Sequence, residues 1–203
     1  MKYILGLVAA TTFSAGALAG PVTTPPPVIN ALGGNVTAVF IFADAWDTST
    51  LSLPTAPSNP IFCNHNTGGC TAATPGQTSD LGNQSGVLTF SLANLTQGKT
   101  YDSVNPDMDG NYHAKVTMNY ADFGVGTLSS ALQAELAGLD NVTFVGFEDR
   151  QLSNHSDWDY NDLIFAFSNT APNNNPGVPE PLTLSLMGAG LLGAFGLRRI
   201  KKN

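Results

Sequence analysis

VTFVGFEDRQLSNHSDWDYNDLIFAF, residues 142–167, is the stretch on which the reading of this chain turns. It opens and closes on short apolar runs, 142–147 and 163–167, rich in Val, Ile and Phe and therefore of strand character. Between them lie Glu148, Asp149, Asp157, Asp159 and Asp162, with Asn154, Ser156 and Asn161 as neutral oxygen donors and Arg150 as the lone cation. Carboxylates this close repel one another unless a cation, ordered water or Arg150 sits among them. The segment predicts two strands joined by an acidic loop, and its chemistry points to a metal more readily than to a reaction.

Outward from there, residues 36–42, VTAVFIF, are apolar on both alternating faces and suit a strand inside a sandwich core; Asp44, Trp46 and Asp47 follow at its exit. Residues 87–92 alternate, with Leu88, Phe90 and Leu92 on one face, and predict a half-buried strand. Residues 112–120 alternate too, which places His113 on the polar face as an exposed strand residue. The one soluble helix is expected at 128–139, capped by Thr127 or Ser129 and stopped at Gly138. Residues 71–86, built of Thr, Pro, Gly, Gln and Asn, read as a loop. Short strands, turn-rich links and a single accessory helix predict an all-β, antiparallel, jelly-roll-like β-sandwich.

Further oxygen ligands lie in Asn105-Pro-Asp107-Met-Asp109-Gly-Asn111, where Asp107, Asp109 and Asn111 alternate around a glycine. Hard oxygens at such spacing suit calcium, while the shortage of His argues against zinc or iron. The plainer alternative for both acidic segments is a solvated turn whose Asp and Asn side chains cap their own backbone amides. Cys63 and Cys70 in FCNHNTGGC predict a disulfide closing a small turn, with metal binding through Cys63, His65 and Cys70 as the alternative. No nucleophile elbow, P-loop or dinucleotide fingerprint occurs, so no catalytic constellation emerges. Paired carboxylates keep a small glycan hydrolase in view, and Trp46, Trp158 and Tyr160 keep sugar stacking in view.

Between residues 20 and 178 only Lys99, Lys115 and Arg150 are basic, against fourteen acidic residues, a formal charge of −11. Such a surface argues against nucleic acid, which needs clustered Lys and Arg. Residues 1–19 read as a secretory signal peptide, with Lys2 before an apolar run and Ala17-Leu18-Ala19 as the cleavage pattern. Residues 20–34, with Pro25-Pro26-Pro27, read as an extended tether, the folded domain as 35–170, and 171–177 as a linker. At the C-terminus, Val178-Pro179-Glu180-Pro181 precedes a sixteen-residue apolar run, 182–197, and the basic cluster Arg198, Arg199, Lys201 and Lys202. As a helix that run rises about 24 Å, a marginal transmembrane span with its basic end on the cytoplasmic side.

This tripartite end closely resembles the PEP-CTERM sorting signal of Gram-negative bacteria. The resemblance implies that Pro179, Glu180 and Pro181 are recognition residues for an exosortase-type membrane protease. It also implies that the chain, once freed by signal peptidase, is transiently anchored in the inner membrane and then released to the surface or extracellular matrix. Separately, Phe147-Glu148-Asp149 and Asp157-Trp-Asp-Tyr-Asn-Asp162-Leu-Ile-Phe look like the hallmark segments of the DUF4114 domain, a small β-rich domain of secreted and surface proteins with no activity to transfer. The expectation is a non-enzymatic exported protein associated with exopolysaccharide and stabilised by calcium, with a carbohydrate-binding or adhesion module as the alternative.

Overall fold

The computed structural model describes residues 20–174; the expected signal peptide at 1–19 and the sorting segment at 178–203 lie outside the described residues. Within them the protein is all-β apart from one short α-helix and two single turns of 3-10 helix. In chain order the elements are β1 (Val28–Ala43), β2 (Ser49–Ser52), β3 (Phe62–Cys63), β4 (Thr78–Leu88), β5 (Ser91–Asn94), β6 (Lys99–Asp102), β7 (Ala114–Thr117), α1 (Ser130–Ala137), β8 (Thr143–Phe147), β9 (Leu163–Phe167) and β10 (Thr170–Asn173). All strand pairings are antiparallel. One sheet runs β10-β1-β9-β8-β7 with β4 also paired to β1, and the other runs β3-β2-β5-β6. Among the described residues no helix is long and apolar enough to cross a membrane.

Every residue of β8 and β9 is buried because the larger sheet is covered on both faces. On one face Phe40, Val145, Phe147, Phe165 and Phe167 share a core with Leu51, Phe62 and Leu92 of the smaller sheet, and the Phe62 and Phe165 rings stack at 6.0 Å. On the other, Val39, Ile41, Phe144, Ile164 and Ala166 lie under Leu132 of α1, Phe123, Trp158 and Tyr160. Strands covered on both sides lose the alternation of a half-exposed sheet, which explains the unbroken apolar runs TFVGF and LIFAF. Gly146 is the one gap in this packing: a Cβ there would stand 2.2 Å from the Tyr160 carbonyl oxygen and 2.3 Å from the Phe123 ring. Its absence is what lets the acidic segment lie against β8.

The helix forms as the sequence indicates, with Ser129 Oγ accepting from the Leu132 amide and Gly138 at the C-cap. Other boundaries move. The strand expected at 36–42 begins at Val28, so the tether read at 20–34 gives way to strand over nearly its last half. The remainder lies against β7: Tyr112 N–H donates to the Val22 carbonyl at 2.9 Å, and Pro25–Pro27 share a groove with Ala114 and Val116. Residues 78–86, read as loop, are most of β4, a polar strand that follows β1 through two register shifts. Its weak strand propensity is overridden by the ladder β1 offers. The run 87–92 keeps its facing, Leu88, Phe90 and Leu92 all buried, but it splits as the chain crosses from one sheet to the other. At the far end β10 carries ordered pairing to Asn173, past the boundary expected at residue 170.

Candidate metal centre

The site sits where three central strands end together. Ala114 pairs with Phe147 and Phe147 with Leu163, so one step beyond the strands His113, Glu148 and Asp162 form a row across β7, β8 and β9. Side chains alternate along a strand, and Glu148 and Asp149 accordingly part company. Asp149 turns to the smaller sheet and accepts from Ser49 Oγ at 3.1 Å. Glu148, 1 % exposed, faces the segment 156–159, and its Oε2 has no hydrogen-bond partner among the described residues. One oxygen each of Glu148, Asp157 and Asp159 lies within 4.8 Å of the others. Asp162 closes the row, its Oδ2 accepting the Asp149 amide at 2.7 Å.

The loop that delivers Asp157 and Asp159 is pinned by its aromatics. Trp158 and Tyr160 take the left-handed conformation, with φ of 59° and 61°, and both are buried. Tyr160 Oη donates to the Tyr112 carbonyl at 3.0 Å. Their side chains are therefore packing anchors, and the expectation that they offer a sugar platform fails. Among the described residues Trp46, 91 % exposed, is the aromatic that faces solvent.

Electrostatically the cluster is one-sided. Burial pushes Glu148 up to about 7 against the lowering effect of hydrogen bonds from Ser156 and Asp162, and the charges of Asp157 and Asp159 add to the rise. Asp162 is raised to about 9, first by burial and then by Glu148 and Asp149. Burial likewise raises Asp149 and Asp159. Arg150 does not relieve the group as the sequence suggested. Its guanidinium makes a two-point pair with Asp47, at 3.0 and 2.8 Å, and comes no nearer than 4.0 Å to Asp149. Burial works to raise Asp47, but hydrogen bonds from Arg150, Asn94 and Gln97 outweigh it and hold the carboxyl below its usual range.

A second group forms alongside. Asp107, Asp109 and His113 each bring a ligand atom within 4.8 Å of the others. Asn111, expected with these aspartates, uses its side-chain amide to donate to the Asp109 carbonyl at 3.3 Å. His113 was expected to be exposed. It is 1 % exposed, stacked on Tyr101 at 4.1 Å and against Trp158 at 4.9 Å. Alternation does place it with Lys115 and Thr117, which stay partly exposed, but at His113 that face is covered by Tyr101 of β6 and by Trp158 of the acidic loop. Asp47 was seen only as a strand exit, since nothing local marks a partner 103 residues away.

Cys63 and Cys70 are disulfide-bonded, which removes the alternative of a metal held by Cys63, His65 and Cys70. The two acidic clusters are thus the places among the described residues where a divalent cation fits the donor set. Comparison with protein-family models, curated proteins and solved structures returns no match for the chain.

Proposed function

We propose that the protein is a non-enzymatic, exported surface or extracellular-matrix component whose β-sandwich, jelly-roll-like in the finer reading, is stabilised by calcium at Glu148, Asp157 and Asp159, with Asp162 and Asp149 flanking. One observation carries the metal reading: the Glu148 carboxylate is buried, and its Oε2 lacks a donor while two further carboxylates converge on it. A buried carboxylate among other carboxylates is costly as an ion, and a divalent cation supplies the missing opposite charge. An all-oxygen set of this kind suits calcium, and extracellular calcium fills even weak sites of this class. The acidic composition and the lack of a catalytic motif agree with a structural task. The resemblance of residues 178–203 to a PEP-CTERM signal supports the route: signal peptidase, a transient inner-membrane anchor at 182–197, then recognition of Pro179, Glu180 and Pro181 by an exosortase-type protease.

The test is thermal unfolding of the purified full chain in chelator and in calcium at matched ionic strength, with magnesium as control. A calcium-specific rise in melting temperature supports the reading; equal melting throughout, with no heat of calcium binding, overturns it. Deleting 182–197 tests the route separately, since unchanged surface delivery removes the sorting signal. The second reading, glycan binding, is favoured by one observation, the exposed indole of Trp46. Exopolysaccharide retention that W46A abolishes without changing stability would put adhesion in first place.

A further inference from the structure

The group Asp107, Asp109 and His113 differs from the calcium cluster in kind, because one of its donors is a buried imidazole. His113 Nδ1 lies 3.2 Å from the Glu148 carbonyl oxygen, and Nε2 lies 3.3 Å from Asp109 Oδ2. Both facing atoms are acceptors. A neutral imidazole carries one N–H, so in either neutral tautomer one ring nitrogen turns a lone pair toward an oxygen lone pair. With the hydrogen on Nδ1 and shared with that carbonyl, Nε2 turns its lone pair toward Asp109 from a side chain 1 % exposed. A second proton or a metal ion resolves that contact.

Several features favour the ion. An Nδ1–H held by a backbone carbonyl with Nε2 free is the arrangement that orients histidines toward metals. Two ligands at 2.0–2.1 Å on a tetrahedral ion stand about 3.3 Å apart, which is the separation of Nε2 and Asp109 Oδ2. Asp107 completes a set of three, with Gln151 Nε2 donating to its Oδ2 from behind. A cavity of about 230 Å³ lined by Tyr101, Asp102, Asn105, Asp107 and His113 opens beside the ring and leaves room for water in a further position.

We propose that Asp107, Asp109 and His113 form a second metal site, distinct from the calcium cluster, that takes a borderline divalent cation of the zinc class through one nitrogen and two carboxylate oxygens. A nitrogen donor shifts preference away from calcium and toward zinc, cobalt or nickel. Glu148 links the two sites, giving its main-chain carbonyl to the histidine and its carboxylate to the acidic loop.

Cobalt(II) serves as the probe, titrated into the purified full chain in excess calcium while visible absorption is recorded. The expected result is a ligand-field band that saturates stoichiometrically, is displaced by an equal amount of zinc, and persists in E148Q. H113Q and D109N should each weaken cobalt binding about tenfold or more. Should H113Q fail to fold, D109N decides, because Asp109 lies on the solvent side of the site. No band at excess cobalt, or a band that survives D109N, overturns the proposal, the latter marking an adventitious ion only. A cobalt band without calcium-dependent melting defeats the calcium reading alone, and the reverse pattern defeats this one alone.

Discussion

His113 and Glu148, 35 residues apart, hold each other twice: the Glu148 N–H donates to the His113 carbonyl at 2.9 Å, and His113 Nδ1 meets the Glu148 carbonyl at 3.2 Å. The ladder between β7 and β8 thereby runs one pair past its strands, and both acidic clusters hang from that last pair. Rigid strand ends position the donors better than a free loop would.

Glu148→Gln separates metal affinity from folding. The calcium-free protein should melt at the same temperature or slightly higher, since a buried charge is gone, while the calcium-induced rise disappears. With free calcium at ten times Kd the wild-type gain is about 1.4 kcal/mol. Paired melts with and without calcium read both effects, and a preserved calcium response in E148Q excludes this carboxylate as a ligand.

Stability of the calcium-free chain should fall as pH rises from about 5 toward 8. Glu148 and Asp162 have folded-state pKa values raised above their unfolded ones, to about 7 and about 9. Between the unfolded and folded values the folded state binds more protons, so the slope is negative, about 1.4 kcal/mol per pH unit for each full proton of difference. Calcium held as proposed would take the ionised form and should flatten that slope. Denaturant midpoints against pH, with and without calcium, check both statements; a rising profile without calcium would contradict them.

Gly146→Ala forces a Cβ into the Tyr160 carbonyl and the Phe123 ring. Overpacking of this kind costs about 1–3 kcal/mol. Because Tyr160 anchors the acidic loop, the variant should also bind calcium more weakly, which separates it from an ordinary core defect. Urea unfolding and calcium calorimetry on the same preparation measure the two losses.

Arg150→Met strands Asp47, whose carboxylate then keeps only the amides of Asn94 and Gln97. The guanidinium is 31 % exposed, so the loss should be nearer 1–3 kcal/mol than the value for a fully buried pair. Adding Asp47→Asn should recover part of it, and a double-mutant cycle gives the coupling.

Cys70→Ala opens a small loop, and the entropy model gives about 2–3 kcal/mol for its closure. The melting temperature should drop while calcium binding changes little, because the turn meets the site only through Asn64, which accepts from the Ser49 amide while Ser49 Oγ donates to Asp149.

What was legible in the sequence was legible for a physical reason. Unbroken apolar runs at β8 and β9 announced central strands, and Ser129 and Gly138 marked a helix by local capping chemistry. The acidic donors could be counted but not sorted: which carboxylates converge depends on the register of β7, β8 and β9, and strand alternation sends Asp149 away from Glu148. His113 misled because alternation predicts a face and cannot say whether Tyr101 and Trp158 cover it. Strand β4 was hidden by its own polarity, since a strand with one solvated face and few apolar residues is specified by the partner it pairs with.

Val28 lies opposite Asn173, and Ala31 opposite Thr170. Among the described residues the first strand is thus completed by the last. Pairing at such sequence separation is slow, in the millisecond-to-second range for β-rich domains, and β1 cannot finish its hydrogen bonding until β10 is in place. Until β10 arrives the Val28–Ala31 edge stands open on that side, so loss of residues 170–173 would expose a ready strand edge to neighbouring chains.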